Sequence, residues 1–281
     1  LPLPLPADLP AGVALVYGCM PDTDPPYPAR TTIAMADFAA DPDLQRRLLQ
    51  ALGCPAEHMD ALISASEGNL LYLELVVKAL ADLTIEPARP PEGLAGLFTA
   101  WWARQSRTEQ RLAELLATAS EPLPLPLLSE LLPTDPTPTL AQWESLGIVD
   151  LTLQTVPGSE RSQPTILAAF SHSAPRRWIG ATRAPALQQA HAELAELGFA
   201  RRTQRTALQQ PGSAEYLHRQ SARHAALGTE ATRTERLPQV TQRAWINHHE
   251  RQMTLDTAYL EVAWELRTAA QANTDLRRIV L

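Results

Sequence analysis

The sequence predicts a mainly α protein with a small β component. Three observations predict it. Long stretches carry apolar residues at helical spacing with Asp, Pro and Gly at their ends. Only three short runs, at 12–21, 149–153 and 165–172, read as strands. The 25 prolines of the 281 residues cluster between these segments, where they punctuate them.

Taken in order, "GVALVYGCMP" (12–21) is a Val-rich apolar run bounded by glycine and proline, and reads as a buried strand. "DTDPPYPAR" after it is loop. "DPDLQRRLLQALG" (41–53) has Asp41 as a cap, Pro42 at the first helical position and Gly53 as a stop. "PAEHMDALISASEG" (55–68) puts Met59, Leu62 and Ile63 on one face of a second helix. Gly68 suits its C-terminal cap, and Asn69 tolerates the left-handed region or caps the next helix. "LLYLELVVKALADL" is apolar nearly all round, which predicts a buried third helix.

Residues from about 93 to 181 give two helices, a Pro-rich break and another helix. "TPTLAQWESLGIVDLTLQT" then gives a helix ending near Gly147 and a strand with Val149, Leu151 and Leu153 alternating. "TILAAFSH" is a further strand, and "SAPRRWIG" starts a helix. Helices followed by a two-stranded hairpin form the winged-helix pattern. Beyond Pro185 the chain is helical. Leu187, Ala190, Leu194 and Leu197 share one stripe, "RRTQR" (201–205) reads as a charged loop, and helices follow at 213–228 and from Leu237 onward.

Composition bounds the function. A net charge of -7 argues against a general nucleic-acid or membrane-surface binder. Cys19 and Cys54 are too few for a disulfide framework, so a reducing cytoplasm is expected. No stretch approaches the length of a membrane span, and "LPLPLPADLP" has no positive region of a signal peptide. The start at Leu1 suggests a piece of a longer polypeptide. Lys78 is the single lysine and has no glycine beside it, so this chain has no Walker A loop.

The order of these segments resembles the C-terminal part of the nucleotide-binding region of STAND ATPases, the signal-transduction branch of the AAA+ superfamily. "LPAGVALVYGCMP" looks like the strand after Walker B, whose arginine senses the γ-phosphate. Met20 stands in place of that arginine, followed by the matching Pro21. A thioether cannot pair with phosphate as a guanidinium does. Gly68, Asn69, Leu70, Leu71, Tyr72 and Leu73 resemble the family's lid turn "GNP-L-Y-L", in which the proline packs on adenine. Leu70 replaces that proline. "FSHSAPRRW" resembles the end of the family's winged helix, whose histidine reaches the β-phosphate of ADP. That position is His172. Arg176 and Arg177 nearby read as surface residues. Tyr216, Leu217, His224 and Leu227 match a helix of the arm that comes next in bacterial members.

The resemblance implies an end of the nucleotide-binding core at 1–36, a helical lid at 37–92, a winged-helix domain at 93–184 and an irregular, TPR-like helical arm at 185–281. It implies binding of ADP or ATP, with Mg in the parent protein, through Met20, Pro21, Gly68, Asn69, Leu70 and His172, weak or absent in this chain alone. It implies regulation rather than catalysis. The expected partners are other domains of a longer polypeptide, effector or sensor proteins and a homo-oligomer. Two other functions stay open. One is a nucleotide-independent interaction scaffold, which Met20 and Leu70 favour. The other is a winged-helix transcription regulator, which the absence of basic residues from "TPTLAQWESLG" disfavours. The "HHE" run at 248–250 lacks further ligands in its own helix, so no metal site is expected.

Overall fold

The computed structural model describes residues 41–81, 89–154, 164–203 and 211–240. These residues form eleven helices and three short strands. The strand expected at 12–21, with Met20 and Pro21, lies outside them, as do the segments beyond 240.

The first three helices are α1 (Pro42–Ala51), α2 (Ala56–Ala65) and α3 (Leu70–Ala81). Asp41 caps α1 as expected, accepting from the backbone N–H of Asp43 at 2.9 Å and of Leu44 at 3.3 Å. Leu49, Met59, Leu62, Tyr72, Leu73 and Val76 bury their side chains between these helices.

Next come α4 (Gly93–Arg104) and α5 (Arg107–Thr118). Ser106 and Glu109 close a capping box at the start of α5: Oγ accepts from Glu109 N–H and the carboxylate accepts from Ser106 N–H. The chain continues through β1 (Leu123–Pro124), α6 (Leu125–Leu131), α7 (Thr137–Ser145), β2 (Val149–Gln154) and β3 (Thr165–Phe170). The sheet is antiparallel in the order β1-β3-β2, with Val149 opposite Phe170 and Leu123 opposite Ala168. The hairpin was expected, but β1 was not, because "EPLPLPLL" reads as a proline break. Its position explains the residue choice: β1 is an edge strand, and Pro124 has no N–H to waste there.

The last four helices are α8 (Ser173–Thr182), α9 (Ala184–Thr203), α10 (Pro211–Leu227) and α11 (Glu230–Val240). Two expectations shift. Arg201 and Arg202 continue α9 instead of forming a loop. α11 begins at Glu230 rather than Leu237 and runs through Pro238, with Thr229 Oγ1 accepting from Thr232 N–H at 3.3 Å near its start.

One core connects most of these elements. It runs from Leu49 through Phe98, Leu115, Trp143 and Ile179 to Ala190, Leu194, Tyr216 and Leu217. A second, small cluster of Ala195, Phe199, Ala222, Ala225, Ala226 and Leu237 fastens α9, α10 and α11 together. The α9–α10 contact is the most extensive between helices, and small residues set its closeness. A Cβ on Gly198 would collide with the Ser221 hydroxyl.

Gly198→Ala is therefore expected to cost about 1–3 kcal/mol, the usual penalty of overpacking. Gly180→Ala, where a Cβ on α8 meets nothing within 4 Å, is expected to stabilise by about 0.5–1 kcal/mol through helix propensity. Urea unfolding of the two variants checks the pair. Equal effects would show that α9 and α10 are not in close contact.

Candidate functional site

Gly68, Asn69 and Leu70 lie together in the α2–α3 junction. The chain turns there through two left-handed residues, Glu67 at φ 50° and Gly68 at φ 76°. Several polar groups of the turn find local partners. Ser66 Oγ donates to Ile63 O at 2.8 Å and accepts from Gly68 N–H at 3.2 Å. Asn69 N–H donates to Ser66 O at 2.8 Å. The Asn69 side chain caps α3, its Oδ1 accepting from Tyr72 N–H at 3.2 Å. Leu70 is half-buried and packs on the core.

Two contacts fix this turn to the start of α4 and the residue pair just before it. The Tyr72 hydroxyl, carried by a fully buried ring, donates to Pro91 O at 2.6 Å. Burial pushes its pKa up to about 12. The Glu67 carboxylate lies against Gly93, so that a Cβ there would sit 3.0 Å from Oε2. An acid at the first residue of α4 offsets the positive end of that helix.

His172 stands at the N-cap of α8, at the end of β3. Its backbone is held from both sides of Ser171. Ser171 N–H donates to Ile148 O at 3.0 Å, and Ser171 Oγ donates to Asp150 Oδ1 at 2.7 Å. The imidazole is half-buried, does not cap the helix, and makes no hydrogen bond among the described residues. No hydrogen bond, ion pair or ring contact among the described residues joins it to the 66–72 turn. The link is indirect, through α4, whose Phe98 and Trp102 lie 6.3 Å and 5.7 Å from the Trp178 ring of α8.

One turn after His172, Arg176 departs from the surface role expected of it. It is half-buried, its Nε has no acceptor among the described residues, and burial followed by the nearby Arg223 lowers its pKa. Arg177 is exposed, as expected. Arg176 marks the edge of a buried polar cluster that the sequence did not reveal. The Tyr216 hydroxyl and His224 Nε2 are 2.9 Å apart, and His224 Nδ1 lies 2.7 Å from His191 Nδ1. One hydrogen fits between two ring nitrogens that close, so one imidazole donates and the other accepts. Burial, then Arg223, pushes His191 down to about 3. Burial, then His191 and Arg223, pushes His224 well down. Burial, then Glu121, pushes the Tyr216 phenol up. Burial thus favours the neutral form of all three rings, which form one interlocked hydrogen-bonded network.

Around it α10 docks on the end of α5. Arg223 donates to Thr118 O at 3.0 Å, a favourable cation at a helix C-terminus. Arg219 pairs with Glu121 at 3.0 Å, and Ser120 Oγ donates to Gln220 Oε1 at 3.0 Å. The partners are about a hundred residues apart in sequence, and neither half carries a local signal. The helical period of Tyr216 and His224, two turns apart, is the one feature that could have placed them on the same face.

No group of three or more His, Cys, Asp or Glu among the described residues is arranged to hold a metal ion. No helix among them is long and apolar enough to cross a membrane. No family model matches the chain, and neither a curated protein nor a solved structure does.

The histidine pair makes stability depend on pH. Each folded pKa lies below the unfolded value of about 6.5, so the unfolded chain takes up the protons first. Stability from this source is complete above pH 6.5 and falls as the pH drops toward 3, by up to about 1.4 kcal/mol per pH unit for each histidine. The urea midpoint is expected to fall between pH 7.5 and pH 5. A His191→Gln, His224→Gln double variant should show a smaller fall, and an equal fall would contradict this assignment.

Proposed function

We propose that the chain is the regulatory part of a STAND-type signalling NTPase. In this role it closes over ADP or ATP and couples nucleotide state to oligomerisation or to an effector. It regulates and does not itself catalyse.

The observation that carries the proposal is the element order from 107 to 170. Helix, edge strand, two helices and a hairpin, with strand order β1-β3-β2, support reading this part as a winged helix. It comes after three lid-like helices and α4, which the resemblance counts with this part (93–184), and it precedes a helical arm.

The residues present bear unequally on a nucleotide. His172 fits. Its backbone is fixed by Ser171, and its ring nitrogens are uncommitted, so an N–H can donate to a phosphate oxygen. Gly68 N–H and Asn69 Oδ1 are already used within the turn, so the contact the turn offers a base is chiefly an apolar one, through Leu70. Binding by this chain alone is then weak, and the phosphate cradle belongs to the parent protein. A DNA-reading role gains nothing from α7, which buries Leu140 and Trp143 and carries no basic side chain. A nucleotide-independent scaffold is the second reading, favoured by the packing of Leu70 into the core.

The test uses the parent protein purified without added nucleotide. It is denatured, and released ADP and ATP are quantified by chromatography beside a His172→Ala version. The proposal expects bound ADP in the first and markedly less in the second. Absence of nucleotide from both would support the scaffold.

A further inference from the structure

The sheet ends on β2. This strand pairs with β3 on one side and, among the described residues, with no strand on the other. What such an edge can hold depends on which backbone groups point outward and which side chains flank them. The register settles the backbone. Ser171 N–H donates to Ile148 O at 3.0 Å, so these two residues face each other as a hydrogen-bonded pair. Antiparallel pairing alternates along the strand. Between Val149 opposite Phe170 and Gln154 opposite Thr165, Asp150, Thr152 and Gln154 therefore turn their N–H and C=O groups toward β3. Val149, Leu151 and Leu153 turn theirs away from it. Val149 is buried, Leu151 is half-buried and Leu153 is exposed. The outward N–H and C=O groups of Leu151 and Leu153 have no other partner among the described residues.

The side chains beside this edge are apolar and open to solvent. Leu153 is 67% exposed, and Ile166, directly opposite it on β3, is 37% exposed. They share the face on which Val149, Ala168 and Phe170 are buried, so the apolar face of the hairpin runs past the core into solvent. Natural edges are commonly protected by lysine, proline or a bulge. β2 has no lysine or proline, and its register runs without a bulge. Its one charged residue, Asp150, accepts from Ser171 Oγ at 2.7 Å.

We propose that β2 pairs with β2 of a second copy of this chain, antiparallel about a two-fold axis at Thr152. Two three-stranded sheets then become one continuous sheet. Antiparallel neighbours set like faces opposite each other, and β2 meets that condition against itself. With Thr152 opposite its own copy, Leu151 lies opposite Leu153 and Asp150 opposite Gln154. Leu151 and Leu153 are the residues whose backbone groups point outward, so they exchange the main-chain hydrogen bonds on both sides of the axis. Their side chains, with Ile166 of each copy, join into one apolar stripe. On the other face threonine meets threonine, a favourable cross-strand pair, and no like charges are opposed. A slip of one residue would set leucine against the polar face. A shift toward Val149 would use a residue already buried in the core. Backbone, side chains and charge thus all match a second copy, which is the reason for choosing it over a foreign strand. The same surface is used by both copies, so the contact closes as a dimer. It uses no nucleotide, and failure of the nucleotide reading leaves it standing.

Sedimentation velocity of the full chain over a wide range of concentration should show a reversible monomer–dimer equilibrium. Thr152 is exposed, so a charge placed there should spare the fold, which far-UV circular dichroism checks. Thr152→Lys and Thr152→Glu each set like charges face to face at the axis. Each should weaken dimerisation by roughly tenfold or more. An equal mixture of the two variants should dimerise again, because lysine then faces glutamate across the axis. A general loss of packing would not be rescued by mixing. A chain that stays monomeric throughout, a dimer indifferent to both charges, or a mixture no more associated than its parts would overturn the proposal.

Discussion

The row of aromatic rings along α4 is the constraint on which the rest depends. Phe98, Trp101 and Trp102 project from one helix and reach two others. Trp101 meets Trp143 of α7 at 5.2 Å, and Phe98 and Trp102 meet Trp178 of α8. Rings of this size bury large areas, and their tilted and edge-to-face contacts add to that burial. Arg183 extends the row, lying 5.4 Å over the Trp102 ring while it pairs with the buried Glu114 of α5 at 3.7 Å. At the other end of α4 the 66–72 turn is held through the Tyr72 hydroxyl on Pro91, just before the helix, and the Glu67 carboxylate against Gly93. A single helix thus fixes both regions that the nucleotide proposal uses.

Interiors packed in this way do not deform gradually. A shift of α8 must either move α4 or break the Trp178 contacts. The arm is held differently. Ala190, Leu194, Tyr216 and Leu217 join it to the main core, and polar contacts add to them: Arg223 on Thr118, Arg219 on Glu121 and Gln220 on Ser120, with Arg111 linking Glu114 to Glu193 of α9. These polar contacts depend on neighbours 80 to 105 positions away. The His191–His224–Tyr216 network then fixes how α9 and α10 face each other, because a buried polar group tolerates few alternatives.

Much of the fold was legible in the sequence, for local reasons. Asp41 with Pro42, Gly68 with Asn69, and the alternation of Val149, Leu151 and Leu153 each carry their own structural instruction. The edge strand β1 was not legible, since a two-residue strand containing proline owes its existence to β3. Likewise, Arg201 and Arg202 look like a loop by charge and are helical because α9 continues. Of the site residues, the turn at 68–70 and the position of His172 at a strand end could be read from motif and spacing. The burial of Arg176 and the His191–His224 contact could not. Both arise where α10 returns to meet α8 and α9, which no local pattern specifies.

The most direct test of this account is hydrogen–deuterium exchange of the full chain with and without Trp102→Ala. Because α4 ties the two regions together, the substitution should speed exchange both in 66–72 and in 172–178, on either side of the altered helix. Acceleration confined to α4 itself would show that the aromatic row is ordinary packing and that the turn and α8 are held independently.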